Sequence, residues 1–257
     1  MKDHRQEGSL RETGVERDMK IRRSVLIVFS GLDGAGKSTQ IALLMDRLRQ
    51  NSHKPHYVWT RGGYTPIFEM MKTLLRRFPG RVMPPSGSNL QRTQVFRKRR
   101  VRRLWLGLAL LDLLWVYGIQ LRWWQWRGRT VICDRYIWDT LIDFRLNFPQ
   151  EQVEDWWLWR VVKWVAPRPQ TAFLLLIPVE ESMRRSDIKK EPFRDPSTVL
   201  TQRLEQYESL AREGYWHVMD GRRPIPDLAA EILEVLQQPE KHLSSSDKQT
   251  LLRDPVA

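Results

Sequence analysis

Apolar positions along the chain fall into two registers. Short unbroken runs stand at residues 25–29 (VLIVF), 56–60 (HYVWT), 130–133 (TVIC), 171–177 (TAFLLLI) and 215–219 (YWHVM). Runs of this length without polar alternation predict strands buried on both faces, as in a parallel sheet. Between them the spacing changes to that of helices. Ile41, Leu44, Met45 and Leu48 follow the first run, and helical patterns cover residues 201–212 and 227–236. Strands alternating with helices predict an α/β chain with a parallel sheet. No internal repeat is visible.

One segment strains this picture. Residues 104–121 (LWLGLALLDLLWVYGIQL) are long enough to cross a bilayer, and RKRRVRR at residues 97–103 precedes them as positive-inside charge would. Asp112 near the centre and Gln120 near the end oppose a span. So does position, because a span here would put two strands of one sheet on opposite sides of a bilayer. A buried or dimer-forming helix is expected. A surface-lying membrane attachment helped by Trp115, Trp123, Trp124 and Trp126 stays open.

Length and charge set the outer limits. A chain of 257 residues fits one generous domain, expected over residues 23–237. Residues 1–22 are predicted to form a polar flexible arm and residues 238–257 a flexible tail. The first twenty residues mix acids with bases and lack an apolar core, so no signal peptide is predicted. Cys133 is the single cysteine, which excludes an intramolecular disulfide and suits a reducing, cytoplasmic setting. The net charge of +13 points to anionic partners, nucleotides or an anionic membrane face among them. No nucleic-acid module accompanies the basic cluster, and His53, His56 and His217 show no metal-ligand spacing.

Chemistry enters between the first strand and its helix. Gly31, Gly36, Lys37 and Ser38 match G-x-x-x-x-G-K-[ST] in a strand–loop–helix context. Such a loop turns backbone N–H groups onto phosphate oxygens, sends its lysine to the β and γ phosphates, and offers a hydroxyl to Mg²⁺. Asp134 at the tip of the 130–133 run supplies a carboxylate for the metal, and Arg135 a cation for a transferring phosphoryl group. Asp33 is anomalous: a carboxylate within an anion cradle either points idly at water or faces something other than the phosphates.

The segments GLDGAGKST, TRGGYTP (60–66), VICDRY (131–136) and RLEQYESLA (203–211), in this order, resemble the thymidylate kinase family. So does LLLIPVEESMRR leading into Lys189, Lys190 and Arg194. The resemblance implies a P-loop kinase fold with a five-stranded parallel sheet of order 2-3-1-4-5, helices on both faces, and a small lid at residues 183–198. It implies ATP and Mg²⁺. Gly31, Gly34, Ala35, Gly36, Lys37, Ser38 and Thr39 would hold the donor with Arg185 and Arg194 of the lid. Ser38 and Asp134 would serve the metal. Lys37, Arg135 and Asp33 would be catalytic, with Asp33 on the acceptor's sugar hydroxyl and Arg61 on its phosphate. The acceptor is expected to be a small phosphorylated molecule, a nucleoside monophosphate such as dTMP first. A sugar phosphate or other polysaccharide precursor is the alternative kinase substrate. A non-catalytic nucleotide-binding protein at a membrane surface is the other alternative; a peripheral place at the inner membrane face and a homodimer are left open.

Two departures bear on the acceptor. Leu113 stands where the family's helix carries the arginine that addresses thymine. Asp139 and Asp143 stand five and nine residues after Asp134, in place of the family's serine and tyrosine. The two aspartates share one helical face and with Tyr136 are expected at the acceptor site; a second cation there, or Asp139 at a helix N-terminus with Asp143 solvated, is the alternative.

Overall fold

The computed structural model describes residues 25–60, 96, 98–190 and 195–237. Five parallel strands form one sheet: β1 (Leu26–Gly31), β2 (Pro55–Trp59), β3 (Thr130–Asp134), β4 (Thr171–Leu176) and β5 (Trp216–Asp220), in the order β2-β3-β1-β4-β5. The five apolar runs in the sequence are these strands, within one or two residues at each end. The order is the 2-3-1-4-5 that the resemblance implies. Phe29 lies opposite both Asp134 of β3 and Phe173 of β4, so β1 and β3 end side by side. The inner strands β1, β3 and β4 are buried almost throughout, which is why they read as unbroken apolar runs. The edge strands β2 and β5 carry more exposed positions, and β2 opens on Pro55, a residue confined to sheet edges.

Eight α-helices lie among the described residues: α1 (Lys37–Gln50), α2 (Arg99–Trp115), α3 (Leu121–Trp126), α4 (Ile137–Asn147), α5 (Trp157–Val165), α6 (Val179–Lys189), α7 (Ser197–Ala211) and α8 (Ile225–Gln237). Helix α1 packs on the central strands and against α8, while α7 packs on β4, β5, α4 and α6. The apolar segment doubtful in the sequence is the helical stretch Arg99–Trp126, in which α2 runs through a π-helical turn at Val116–Gln120 into α3. It is long and apolar enough to cross a membrane. Yet Trp105, Leu106, Ala109, Leu110, Leu113, Val116, Tyr117 and Leu121 are all buried in the same core as the sheet. That face is committed to the fold, and Asp112 is buried with it.

The predicted arm at 1–22 and tail at 238–257 lie outside the described residues, as do Arg61 and Arg194. Of the expected lid, residues 183–189 are the last two turns of α6.

Candidate active site

The glycine loop leaves the C-terminal end of β1 and turns directly into α1, whose first residue is Lys37. Open α/β sheets bind ligands at this edge, where strand order reverses. Two glycines show what the loop needs. Gly31 has φ +133°, and a Cβ there would stand 2.1 Å from the Leu175 carbonyl oxygen, inside β4. Gly36 has φ +95° and open space where a Cβ would point, at the N-terminus of α1. A positive helix end facing an open concavity is an anion site.

Lys37 is fully buried, and its ammonium donates to the Gly31 and Leu32 carbonyl oxygens at 2.9 and 2.7 Å. Burial first, and then the Arg135 cation, lower its pKa to about 8; Asp33, Asp134 and Asp139 oppose the shift. A polyphosphate beside this amine restores its charge. Nucleotide binding near pH 9 is therefore expected to take up close to one proton. The enthalpy of binding measured by calorimetry will then vary with the ionisation enthalpy of the buffer, and in Lys37→Met it will not. For stability the sign is that of a base with a lowered pKa. The buried ammonium costs stability below about pH 8, and the cost fades as pH rises toward the value of free lysine.

Ser38 and Asp134 come together as the loop and β3 predict. The Ser38 hydroxyl lies 3.5 Å from the Asp134 carboxylate, at the mouth of the loop. A hydroxyl and a carboxylate are hard oxygen donors of the kind Mg²⁺ takes when phosphates complete its shell. The two residues fit that ion. Sequence reading missed a third participant. Tyr57 of β2 donates its hydroxyl to the same carboxylate at 3.2 Å. Burial and the adjoining carboxylate push its pKa up to about 12, so it stays a donor at neutral pH. A tyrosine on an edge strand carries no motif, and only the pairing of Tyr57 beside β3 reveals it.

Arg135 follows Asp134 in the left-handed region, with φ +73°. This turn sends its guanidinium back under the loop, where it ion-pairs with Asp33 and donates to the Tyr207 hydroxyl at 3.2 Å. Arg135 itself is buried, and Asp33 is 44 % exposed. The anomaly of a carboxylate in the loop thus has a structural answer. Asp33 faces the Arg135 cation at the edge of the open side of the site. Thr60, just before Arg61, is buried beside the same turn, and its hydroxyl donates to the Arg135 carbonyl at 2.5 Å.

Three residues expected at the acceptor are instead bound up with the chain itself. Asp139 is buried, and its carboxylate accepts from the Ser30 hydroxyl at 2.6 Å, the Tyr207 hydroxyl at 2.6 Å and the Tyr136 N–H at 2.8 Å. It ties the end of β1 to α7 and caps α4 as an N3 carboxylate does. Asp143, one turn on, pairs with the buried Arg203 of α7, which also reaches Asp195 at 3.2 Å. Tyr136 is turned into the core and donates to the Pro167 carbonyl at 2.6 Å. The i, i+4 spacing placed both aspartates on one face, but that face meets α7. Arg185, expected to hold the donor, lies against the loop. Its guanidinium donates to the Gly34 and Gly221 carbonyls at 2.9 and 3.0 Å, holding the loop's backbone. The Ser182 hydroxyl adds a bond to the Asp33 carbonyl at 2.7 Å.

A five-stranded sheet of this order, a glycine loop feeding a helix N-terminus, and a lysine with a serine–aspartate pair beside it define a phosphotransferase of the P-loop kinase type. The sequence model of the thymidylate kinase family matches residues 118–232. A thymidylate kinase of Desulfotalea psychrophila is 32 % identical over 161 residues, covering 62 % of this chain and 67 % of that protein. The thymidylate kinase of Plasmodium falciparum is 27 % identical over 217 residues, 83 % of this chain and 90 % of the relative. That of Herpetosiphon aurantiacus is 27 % identical over 203 residues, 77 % of each. The chain belongs to the thymidylate kinase family.

Proposed function

We propose that this protein transfers the γ-phosphoryl group of ATP to the phosphate of a nucleoside monophosphate, with dTMP as the acceptor. The observation that carries the reading is the two-sided loop. It carries Lys37 beside the Ser38–Asp134 pair, and it turns the partly exposed Asp33 onto Arg135 rather than toward that pair. Relatives named thymidylate kinase along most of the chain support dTMP as the acceptor.

In the transfer, an oxygen of the acceptor phosphate attacks the γ phosphorus. The bond from that phosphorus to the bridging oxygen breaks, and ADP leaves with the electron pair. The attacking oxygen is already anionic, so no strong general base is needed. What the chain supplies is position and charge. Lys37 leaves its two carbonyl partners for the donor phosphates. Arg135 spreads its charge over the moving phosphoryl group. Asp33 accepts from a sugar hydroxyl of the acceptor. Ser38 and Asp134 would hold Mg²⁺, which when bound neutralises charge across the β and γ phosphates. Tyr57 fixes the orientation of Asp134, and Asp139 that of Tyr207 beside Arg135.

Leu113, in the position of the family's thymine-reading arginine, is buried in the core. Base selection in this protein therefore cannot use that side chain. Asp33→Ala tests the acceptor side. It is expected to raise the acceptor KM about tenfold, the effect of losing one hydrogen bond to a charged group, with the ATP KM within about twofold of the parent. A rise in the ATP KM with an unchanged acceptor KM would assign Asp33 to the donor and contradict the two-sided loop.

A further inference from the structure

Among the described residues, four other than glycine stand in the left-handed region: Ser52, Arg135, Gln152 and Lys190. Ser52, Gln152 and Lys190 are exposed and close α1, a 3₁₀ turn and α6. Arg135 is buried. A long side chain is uncommon in this region, and it persists where the surroundings hold the backbone in place. The turn aims the guanidinium at Asp33 and the Tyr207 hydroxyl. Whatever holds the turn therefore sets that aim.

The strands hold its approach. The Arg135 N–H donates to the Phe29 carbonyl at 2.8 Å, one residue beyond the end of β3. On the other side the Thr60 N–H donates to the Asp134 carbonyl at 3.2 Å, which extends the β2–β3 ladder past Trp59. The turn then carries the Arg135 carbonyl out of the ladder, and the Thr60 hydroxyl meets it at 2.5 Å. The N–H of the same peptide, that of Tyr136, donates to Asp139 Oδ2 at 2.8 Å. The peptide after Arg135 is thus pinned at both ends, from the end of β2 and from α4. A peptide is planar, so pinning its oxygen and its hydrogen fixes ψ at Arg135. Asp139 also ion-pairs with the guanidinium at 3.5 Å, and so acts on the arginine through charge as well. Thr60 is uncharged and bonds to the backbone. Its β-branched side chain has few χ1 choices, and burial holds its hydroxyl at the carbonyl.

We propose that Thr60 is a positioning residue for Arg135: by holding the peptide that follows the arginine, it sets the direction of the guanidinium in phosphoryl transfer. The inference rests on the proposed transfer, so its test has one arm that reads activity and one that does not. Thr60→Val keeps the volume and removes the hydroxyl. Its kcat is expected to fall about 10–100-fold, the scale of a misplacement of about 1 Å at a catalytic group. Both KM values should stay within about threefold of the parent. Thr60→Ser keeps the hydroxyl, and its kcat should also stay within about threefold. In an Arg135→Lys background, Thr60→Val should cost no more than about a further twofold, because the group it aims is already gone. The arm without substrate follows the nitrogen–proton NMR resonance of the Arg135 side chain, identified by its absence from Arg135→Lys. It should shift or broaden in Thr60→Val and keep its place in Thr60→Ser. If Thr60→Val does not fold, Thr60→Ala enters the same comparisons. Parental kcat in Thr60→Val overturns the proposal. So does an equal loss in both backgrounds, which a purely structural role would give, and so does an unmoved Arg135 resonance. A parent that no acceptor stimulates, with the resonance moved, fails the transfer reading and still leaves Thr60 holding the turn.

Discussion

Lys37→Met is expected to lower turnover with ATP and the acceptor by about 10³-fold, the loss that follows removal of one group aimed at developing charge in a closed site. The structure indicates why the loss falls on catalysis. Lys37 spans from the start of α1 to the Gly31 and Leu32 carbonyls, across the mouth where the donor phosphates belong. Its ammonium is held in a buried place at a pKa near 8, a costly arrangement unless an anion arrives to share it. Methionine keeps the volume and removes the charge. The far-ultraviolet circular dichroism spectrum should be that of the parent, and the deficit should appear in kcat rather than in thermal unfolding. Loss of folded protein instead would make Lys37 a scaffold residue.

Arg135→Ala should fail on both counts. The guanidinium is the cation shared by Asp33, Asp139 and the Tyr207 hydroxyl at the junction of β3, the loop and α7. Removing it leaves the buried Asp139 carboxylate without its nearest positive charge. Breaking a buried pair this way costs about 3–5 kcal/mol. In a domain of this size that is a fall of about 10 °C in Tm. Turnover should fall by about 10³-fold as well, since in the proposed transfer the same group stabilises the moving phosphoryl. Arg135→Lys separates the two effects. It restores a cation and so part of the stability, but a single ammonium cannot reproduce the planar fork that reaches Asp33 and Tyr207 together. Turnover that returns with stability would show that Arg135 acts only through the fold.

What could be read from the sequence depended on whether the signal was local. The buried strands were legible because a strand covered on both faces has nowhere to put a polar residue, as β1 and β4 show. The loop was legible because phosphate contact through backbone N–H groups demands glycine at fixed spacing. Ser38 and Asp134 followed from their places at the ends of α1 and β3. Contacts between distant segments were not legible. Nothing near Tyr57 says that its hydroxyl meets Asp134. The spacing of Asp139 and Asp143 fixed a shared face but not its neighbour, and that neighbour is α7 with Tyr207 and Arg203. Gly221 was missed for the same reason. A Cβ there would stand 2.6 Å from the Ala35 carbonyl oxygen, and the turn after β5 gives no local hint that it approaches the loop. The bonds of Arg185 to the Gly34 and Gly221 carbonyls were likewise without a local sign.

Asp33 has changed most in meaning. In the sequence it was a carboxylate out of place among phosphate-binding glycines. In the fold it is the partner of Arg135 and is still 44 % exposed, and the proposed transfer gives it the acceptor's sugar hydroxyl.

The most direct test of this account is acceptor-dependent ADP release from ATP and Mg²⁺, measured for dTMP, other nucleoside monophosphates, nucleosides and sugar phosphates. ADP release that rises with dTMP, yields dTDP in equal amount, and disappears in Lys37→Met is the predicted result. ADP release that no nucleoside monophosphate stimulates would contradict it.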